Sequence, residues 1–437
     1  MIIGRLAKRV LLPVALALFV TCVQAQTVTL HEELRTMLNE HPRLKSARSN
    51  EQAADWEVER ATDNYFPVFS IYGETGPDKY TNPNTTFGQE RELDRSKVTY
   101  ELRQNLFRGF RDQAAVSGSE AERKIADFST SKTTQELLLE GISVYIDALR
   151  VTMLGNVVSE KVDVAQQLLD IKKRARQSGG GTDVDVLEAS LAIQKALDEK
   201  LISEAELRST TVRYAQLFNR DNLPGKLTPV EVPASLVPAS AEAALLLARE
   251  HNPDLAMARL QMDVASSIRE NAVGEYYPTL DLVGRRDYDR NLEGQEGARH
   301  EKAVLLQLNW QFNLGNQAGA AVSSAAEKYT AAKFDYYDAQ KDVEQRVQLA
   351  YERYANLDAR RTLADETLTI AERVLESRRE QRRSGKVDET VVIAARARMI
   401  AARYTAVLTH YEAIKAAYEL GFIAGLLTEA ELGLVAN

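Results

Sequence analysis

The chain contains one pattern written twice. NEHPRLKSAR at 39–48 returns as REHNPDLAMAR at 249–259. Pro42 and Pro253 are 211 residues apart, as are Tyr65 and Tyr276, and Pro67 and Pro278. Farther on, GFRDQAAVS (109–117) matches GNQAGAAVS (315–323) at a separation of 206, which Ser178-Gly179 and Ser384-Gly385 keep. An internal duplication on this scale limits the fold to two like units that bury their faces on each other or on further copies. The change from 211 to 206 gives the first copy five extra residues between Pro67 and Gly109, and a surface loop absorbs such a difference best.

Proline sets the organisation within each copy. No proline occurs from Asn84 to Leu223, nor from Thr279 to the end, so both tracts are free to form long helices. Four prolines fall in 223–238, which reads as an irregular connector between repeats at about 28–222 and 239–428. Each repeat is expected to run helix, strand, loop, strand, long helix, turn, helix. The long tracts, 110–177 and 316–383, would each reach about 100 Å at 1.5 Å per residue. Apolar or small residues step by four and three along them: Leu137, Gly141, Val144, Ala148, Val151 in one, Val343, Val347, Ala350, Tyr354, Leu357 in the other. This is a heptad, broken by Arg361, and it predicts coiled-coil packing. The tracts end at SGGGTDVDVL (178–187) and SGKVDETVVI (384–393). Glycine suits the end of a helix, and Thr182 or Asp183 can cap the next one.

Between these helices the period changes to two. In VLLQLNWQFNLG (304–315), Val304, Leu306, Leu308, Trp310 and Phe312 share one parity, while Gln307, Asn309, Gln311 and Asn313 share the other. In the first copy Val98, Tyr100 and Leu102 alternate with Thr99, Glu101 and Arg103. The stretches 76–94 and 286–300 read as polar, turn-rich loops. A strand over 304–314, with large apolar groups on one face and polar groups on the other, suits a barrel wall between lipid and water, where about 9–11 residues make one crossing.

Composition narrows the setting. Arg5, Lys8 and Arg9 precede an apolar run from Val10 to Val20, and Val23-Gln24-Ala25 suits a signal peptidase, so residues 1–25 read as a secretory leader. The one cysteine, Cys22, lies inside it. Losing the three leader cations takes the formal charge from -8 to -11, which argues against nucleic-acid binding. Beyond the leader there is no run of 18 apolar residues, so a membrane crossing must be made by strands. The five histidines form no ligand cluster, and no nucleophile elbow or phosphate loop appears, so neither an enzyme nor a cofactor is expected. Four strands cannot enclose a lumen, and an open sheet edge is not tolerated in lipid. The wall must therefore be shared between chains. A soluble periplasmic coiled-coil adaptor or scaffold is the alternative; it accounts for the heptads and leaves the alternating strands without a role.

The whole chain beyond the leader resembles the TolC family of outer-membrane efflux and secretion channels. The resemblance rests on the doubled HP/NP motif with a proline 25 residues later, the strand ends LFRGF and QFNLG, the paired AAVS segments and the glycine-led turns, in this order. It implies one channel domain over 26–437 that is mainly α with a small β part, in the outer membrane of a Gram-negative bacterium. Three copies would share a twelve-stranded barrel. An α-helical tunnel would continue it through the periplasm, with an equatorial region built from 27–40, 219–250 and the C-terminus. The implied partners are further copies of the chain, outer-membrane lipid, and a periplasmic adaptor with its inner-membrane transporter. The spacing leans slightly to the type I protein secretion branch over drug efflux. Residues expected at the periplasmic tip, where an adaptor docks and the mouth gates, are Gly179, Gly180, Thr182, Asp183 and Asp185, with Gly385, Lys386, Asp388 and Glu389. The family's tip aspartate-valine pair is matched by Asp185-Val186, whereas the second copy carries Val391-Val392. Those expected to face lipid are Val98, Tyr100, Leu102, Val304, Leu306, Leu308, Trp310 and Phe312.

Overall fold

The computed structural model describes residues 28–81 and 90–434; the expected leader, with Cys22 and Ala25, lies outside the described residues. The first repeat comprises α1 (Leu30–Glu40), α2 (Pro42–Thr62), β1 (Val68–Thr81), β2 (Glu90–Phe107), α3 (Arg111–Gln177) and α4 (Asp183–Phe218). The second returns the same series as α5 (Ala241–His251), α6 (Pro253–Val273), β3 (Thr279–Arg290), β4 (Ala298–Asn309), α7 (Gln317–Arg383) and α8 (Glu389–Ile423). The repeated prolines stand at the first position of α2 and α6, where a missing N–H costs nothing. The residue before each caps the helix: His41 Nδ1 accepts from the Arg43 amide at 3.2 Å, and Asn252 Oδ1 from the Asp254 amide at 2.9 Å.

α3 and α7 each run 67 residues, about 100 Å. Along the heptad, Leu137, Ala148, Val151, Val343, Val347 and Leu357 are buried. Arg361, the break in it, turns to Asp358 with Nη2 2.8 Å from Oδ1. The helices form a layer one helix thick. Towards the sheet its order is α2, α3, α6, α7; towards the other end it is α4, α3, α8, α7. Tyr145, near the middle of α3, marks the main core. There α1, the connector and the C-terminal segment pack on the long helices, through Leu34, Leu236 and Leu427 among others. The Tyr145 hydroxyl donates to the Val28 carbonyl at 2.9 Å and accepts from the Thr228 amide at 3.0 Å, tying the start of the first repeat to the connector.

The four strands form one antiparallel sheet in the order β1-β2-β3-β4. Two expectations are corrected here. β4 spans Ala298–Asn309, not 304–314, so Trp310 and Phe312 lie past its end. Its last rung pairs Asn309 with Thr279, and the next residue of β3 would be Pro278, which has no N–H to extend the ladder. The stretches read as loops are shorter than expected, because β1 continues to Thr81, β2 starts by Glu90, and β3 continues through the charged Arg285–Arg290. At the junction with α3, Gly109 approaches the turn that follows α6 so closely that a Cβ would stand 2.4 Å from the Gly274 carbonyl oxygen.

A salt bridge ties the upper helices together. Asp254, at the start of α6, lies 2.8 Å from Lys132 Nζ of α3 and 3.3 Å from Arg346 Nη2 of α7. Burial raises the Asp254 pKa, but the two cations outweigh it and hold it below the usual carboxylate value. A depressed acid contributes its stability in full above the unfolded pKa, about 3.9, and loses it as pH falls through the folded one. Thermal unfolding of Asp254→Asn should therefore lie below that of the native protein at pH 7, and the gap should close as pH falls below about 4. An unchanged gap at pH 3 would remove the charge from the account.

Candidate functional site

The sheet has two unlike faces. Residues opposite each other across a ladder share a face, and the register gives Phe69–Leu102–Gly284–Val304, with Leu282–Leu306 and Leu280–Leu308 beside it. Ile71–Tyr100 and Val98 complete the same face. All six candidate residues that lie within strands, Val98, Tyr100, Leu102, Val304, Leu306 and Leu308, are therefore on one side. Within the chain it is largely uncovered: Leu306 and Leu308 are each 64% exposed. The opposite face carries Glu101, Arg103, Asp281, Arg285, Asp287 and Gln307. Its charges are cross-linked: Thr99 Oγ1 donates to Asp287 Oδ1 at 2.6 Å, Arg103 reaches Glu101 at 2.9 Å and Asp281 at 3.3 Å, and Arg285 reaches Asp287 at 2.8 Å.

The β3 part of this polar face escaped the sequence reading. Asp281, Arg285, Asp287 and Asp289 hold one parity, yet RRDYDR is charged on both parities and looks like a turn. The period-two spacing of its acids with Val283, which is 1% exposed, was the available signal.

Trp310 and Phe312 belong to a different feature. Trp310 Nε1 donates to the Tyr276 carbonyl at 3.1 Å, and the two rings lie 4.8 Å apart. Phe107, Phe110 and Tyr277 form an edge-to-face group at the same junction of sheet and helices, with centroids 5.3–6.4 Å apart. Aromatic residues thus collect where the strands end and α3 and α7 begin.

Both layers are left open on the same flanks. β1 and β4 are edge strands without a second partner among the described residues. α7 and, lower down, α4 are the outermost helices. Apolar side chains remain exposed on them: Leu187 and Leu201 on α4, Leu363 and Ile370 on α7, each 61–67%.

The glycine turns lie at the end of α3 and α7 farthest from the sheet. Gly179 and Gly385 have φ of +81° and +74°, the left-handed geometry that ends a helix. The first turn is held internally. Thr182 Oγ1 accepts from the Asp185 amide at 3.2 Å, while the Asp185 carboxylate accepts from the Thr182 amide at 3.1 Å, a reciprocal capping box. Lys172 Nζ, 2.8 Å from Asp185, and the Thr182 bonds hold that carboxyl far below its usual range. Asp183 pairs with Arg176. Gly180 donates its amide to the Ala175 carbonyl at 2.9 Å. The second turn is freer. Asp388 occupies the cap of α8 without a side-chain hydrogen bond. Lys386, Asp388 and Glu389 are exposed and make no ion pair among the described residues. Val391 and Val392 fall inside α8.

Comparison with known proteins bears on the whole of this architecture. The family model described as "Outer membrane efflux protein" matches residues 34–219 and 244–426, one match per repeat. Outer membrane efflux protein BepC of Brucella suis is 22% identical over 399 residues, covering 90% of this chain and 84% of that protein. Alkaline protease secretion protein AprF of Pseudomonas aeruginosa is 24% identical over 372 residues, covering 82% and 75%. Among solved structures, the outer membrane protein VceC of Vibrio cholerae superposes with a TM-score of 0.75 at 15% identity, covering 91% of this chain and 96% of that one.

Proposed function

Because this chain belongs to the outer membrane efflux protein family, whose model matches both of its repeats, we propose that it is the outer-membrane channel of a tripartite export system. It sits in the outer membrane and extends into the periplasm. In this reading it is a passive conduit: a periplasmic adaptor and an inner-membrane transporter deliver cargo, and no residue performs chemistry.

One observation carries the reading. Sheet and helix layer end on the same two flanks, β1 with α2 and α4 on one, β4 and α7 on the other, and neither layer closes on itself among the described residues. A backbone edge cannot face lipid unpaired, so β4 of one copy pairs with β1 of the next. An eight-stranded barrel is nearly filled by its own side chains; three copies, with twelve strands and twelve helices abreast, leave a lumen. The face bearing Leu282, Leu306 and Leu308 meets lipid, and the face bearing Arg103, Asp281 and Asp287 lines the water path. Trp310, Phe312 and Tyr277 form the aromatic girdle at the periplasmic interface. The tips lie about 100 Å away, at the adaptor. Of the two, the second offers an adaptor more, since Lys386, Asp388 and Glu389 have no ion pairs among the described residues to give up.

Native mass spectrometry in detergent and planar-bilayer recording test the reading together. The expected result is a trimer that conducts in uniform steps. A stable folded monomer, or a trimer that never conducts at any pH or voltage, overturns it.

A further inference from the structure

The two repeats carry one ionic motif with its signs exchanged. Arg43 follows Pro42 in α2 as Asp254 follows Pro253 in α6. Each meets the long helix of its own repeat at the same rung: Arg43 reaches Glu140 of α3 at 3.0 Å, and Asp254 meets Arg346 of α7 at 3.3 Å. Glu140 and Arg346 are 206 apart, the offset that relates α3 to α7. The acid and the base have changed places.

Asp254 has a second partner, Lys132, on the long helix of the preceding repeat. α6 lies between α3 and α7, whereas α2 packs on α3 and its other flank is open. Adding 206 to Lys132 gives Asp338 of α7, which is exposed and has no ion pair among the described residues. Here too the sign is reversed, lysine in one repeat and aspartate in the other.

We propose that Arg43 of one protomer pairs with Asp338 of its neighbour, as the counterpart across the seam of Asp254 with Lys132 inside the chain. This rests on the ring of copies proposed above. Arg43 holds two acids of its own α3 through its two Nη atoms, Glu136 at 3.1 Å and Glu140 at 3.0 Å, and the remaining N–H groups of its exposed guanidinium are what Asp338 of the neighbouring copy would take. The apolar layer obeys the same rule. Val157 and Val164 are buried in one cluster with Ile393 where the two repeats meet. Their equivalents 206 residues away, Leu363, Ile370 and Leu187, remain apolar yet exposed on the open edges. A second copy of this chain is the surface that would cover them in the same way.

The exchanged signs also dictate order round the ring. If the open flank of the first repeat met that of another first repeat, α2 would meet α2, Arg43 would face Arg43 and the contact would be repulsive. Alternation of first and second repeats is the arrangement in which every such contact is attractive.

Cysteine crosslinking tests the pair, since the described residues contain no cysteine. Arg43→Cys/Asp338→Cys, purified in detergent and treated with a short bis-maleimide, should give covalent dimers and trimers on a denaturing gel. Either single variant should give monomers. Lys132→Cys/Asp254→Cys should crosslink within one chain and stay monomer-sized. Asp338→Lys should lower the fraction surviving as trimer after mild heating by several-fold. Arg43→Asp/Glu140→Arg/Asp338→Lys, which rebuilds the signs of the second repeat, should recover it. No intermolecular adduct from a protein that native mass spectrometry still counts as a trimer overturns the pair and leaves the channel reading intact. A triple variant no better than Asp338→Lys overturns the sign rule. An unmodified protein that is monomeric overturns the channel reading itself.

Discussion

Leu306→Arg is expected to abolish stable insertion into the outer membrane, while Gln307→Arg next to it inserts and assembles. The two positions differ by one residue and therefore by face, Leu306 opposite Leu282 and Gln307 opposite Asp281. An arginine turned to lipid near the midplane costs about 2–4 kcal/mol, and in a ring every copy bears it. On the other face the added guanidinium joins a surface that already holds Arg103, Arg285 and their acids, and it is hydrated there. Heat-modifiable trimer in the outer-membrane fraction is the measurement. Equal losses for both variants would mean that the faces are assigned wrongly.

The second large effect is expected at the opposite end. Gly179→Val/Gly385→Val should reduce export by about tenfold or more, the factor that some 1.4 kcal/mol carries, and leave trimer yield unchanged. A Cβ at either glycine meets nothing within 4 Å, so crowding within the chain is not the cause. Backbone geometry is. Both residues sit at positive φ, where an L-residue pays roughly 1–2 kcal/mol and a β-branched one is a clear outlier. The turns must then rebuild, and the surface offered to an adaptor changes shape. Cargo export, trimer yield and adaptor crosslinking in one strain provide the readout. Full export with normal crosslinking would reduce the tips to plain connections.

How far the sequence could be read depended on whether the deciding contact was local. The helices α3 and α7 were legible to within a residue, because proline-free tracts and a heptad specify a long helix by themselves. The side of β4 that carries Leu306 was legible from parity alone. Its end was not, since the ladder stops at Asn309 where Pro278, just before β3, has no N–H to extend it. β3 was lost in its charged half because Asp287 looks like a turn residue until Thr99 and Arg285 are placed beside it. At the tips, glycine announced both turns. The difference between them depends on Lys172 and Arg176 of the preceding helix meeting Asp185 and Asp183, a pairing that the turn sequence alone does not reveal. The exposure of Leu363 and Ile370 was beyond reach for another reason: an apolar heptad position predicts burial, and nothing among the described residues covers them.

The single-layer wall has a consequence for gene dosage. In the ring proposed above no copy would have a lumen of its own, so a defective copy would not be a silent passenger; it would be a faulty stave in a cask. If a cell makes sound and faulty subunits in equal amounts and they mix freely, roughly one three-membered ring in eight is free of faulty ones. A missense allele that still assembles would therefore act as a dominant poison, while one that cannot fold at all would be recessive, and the milder lesion would give the more severe inheritance.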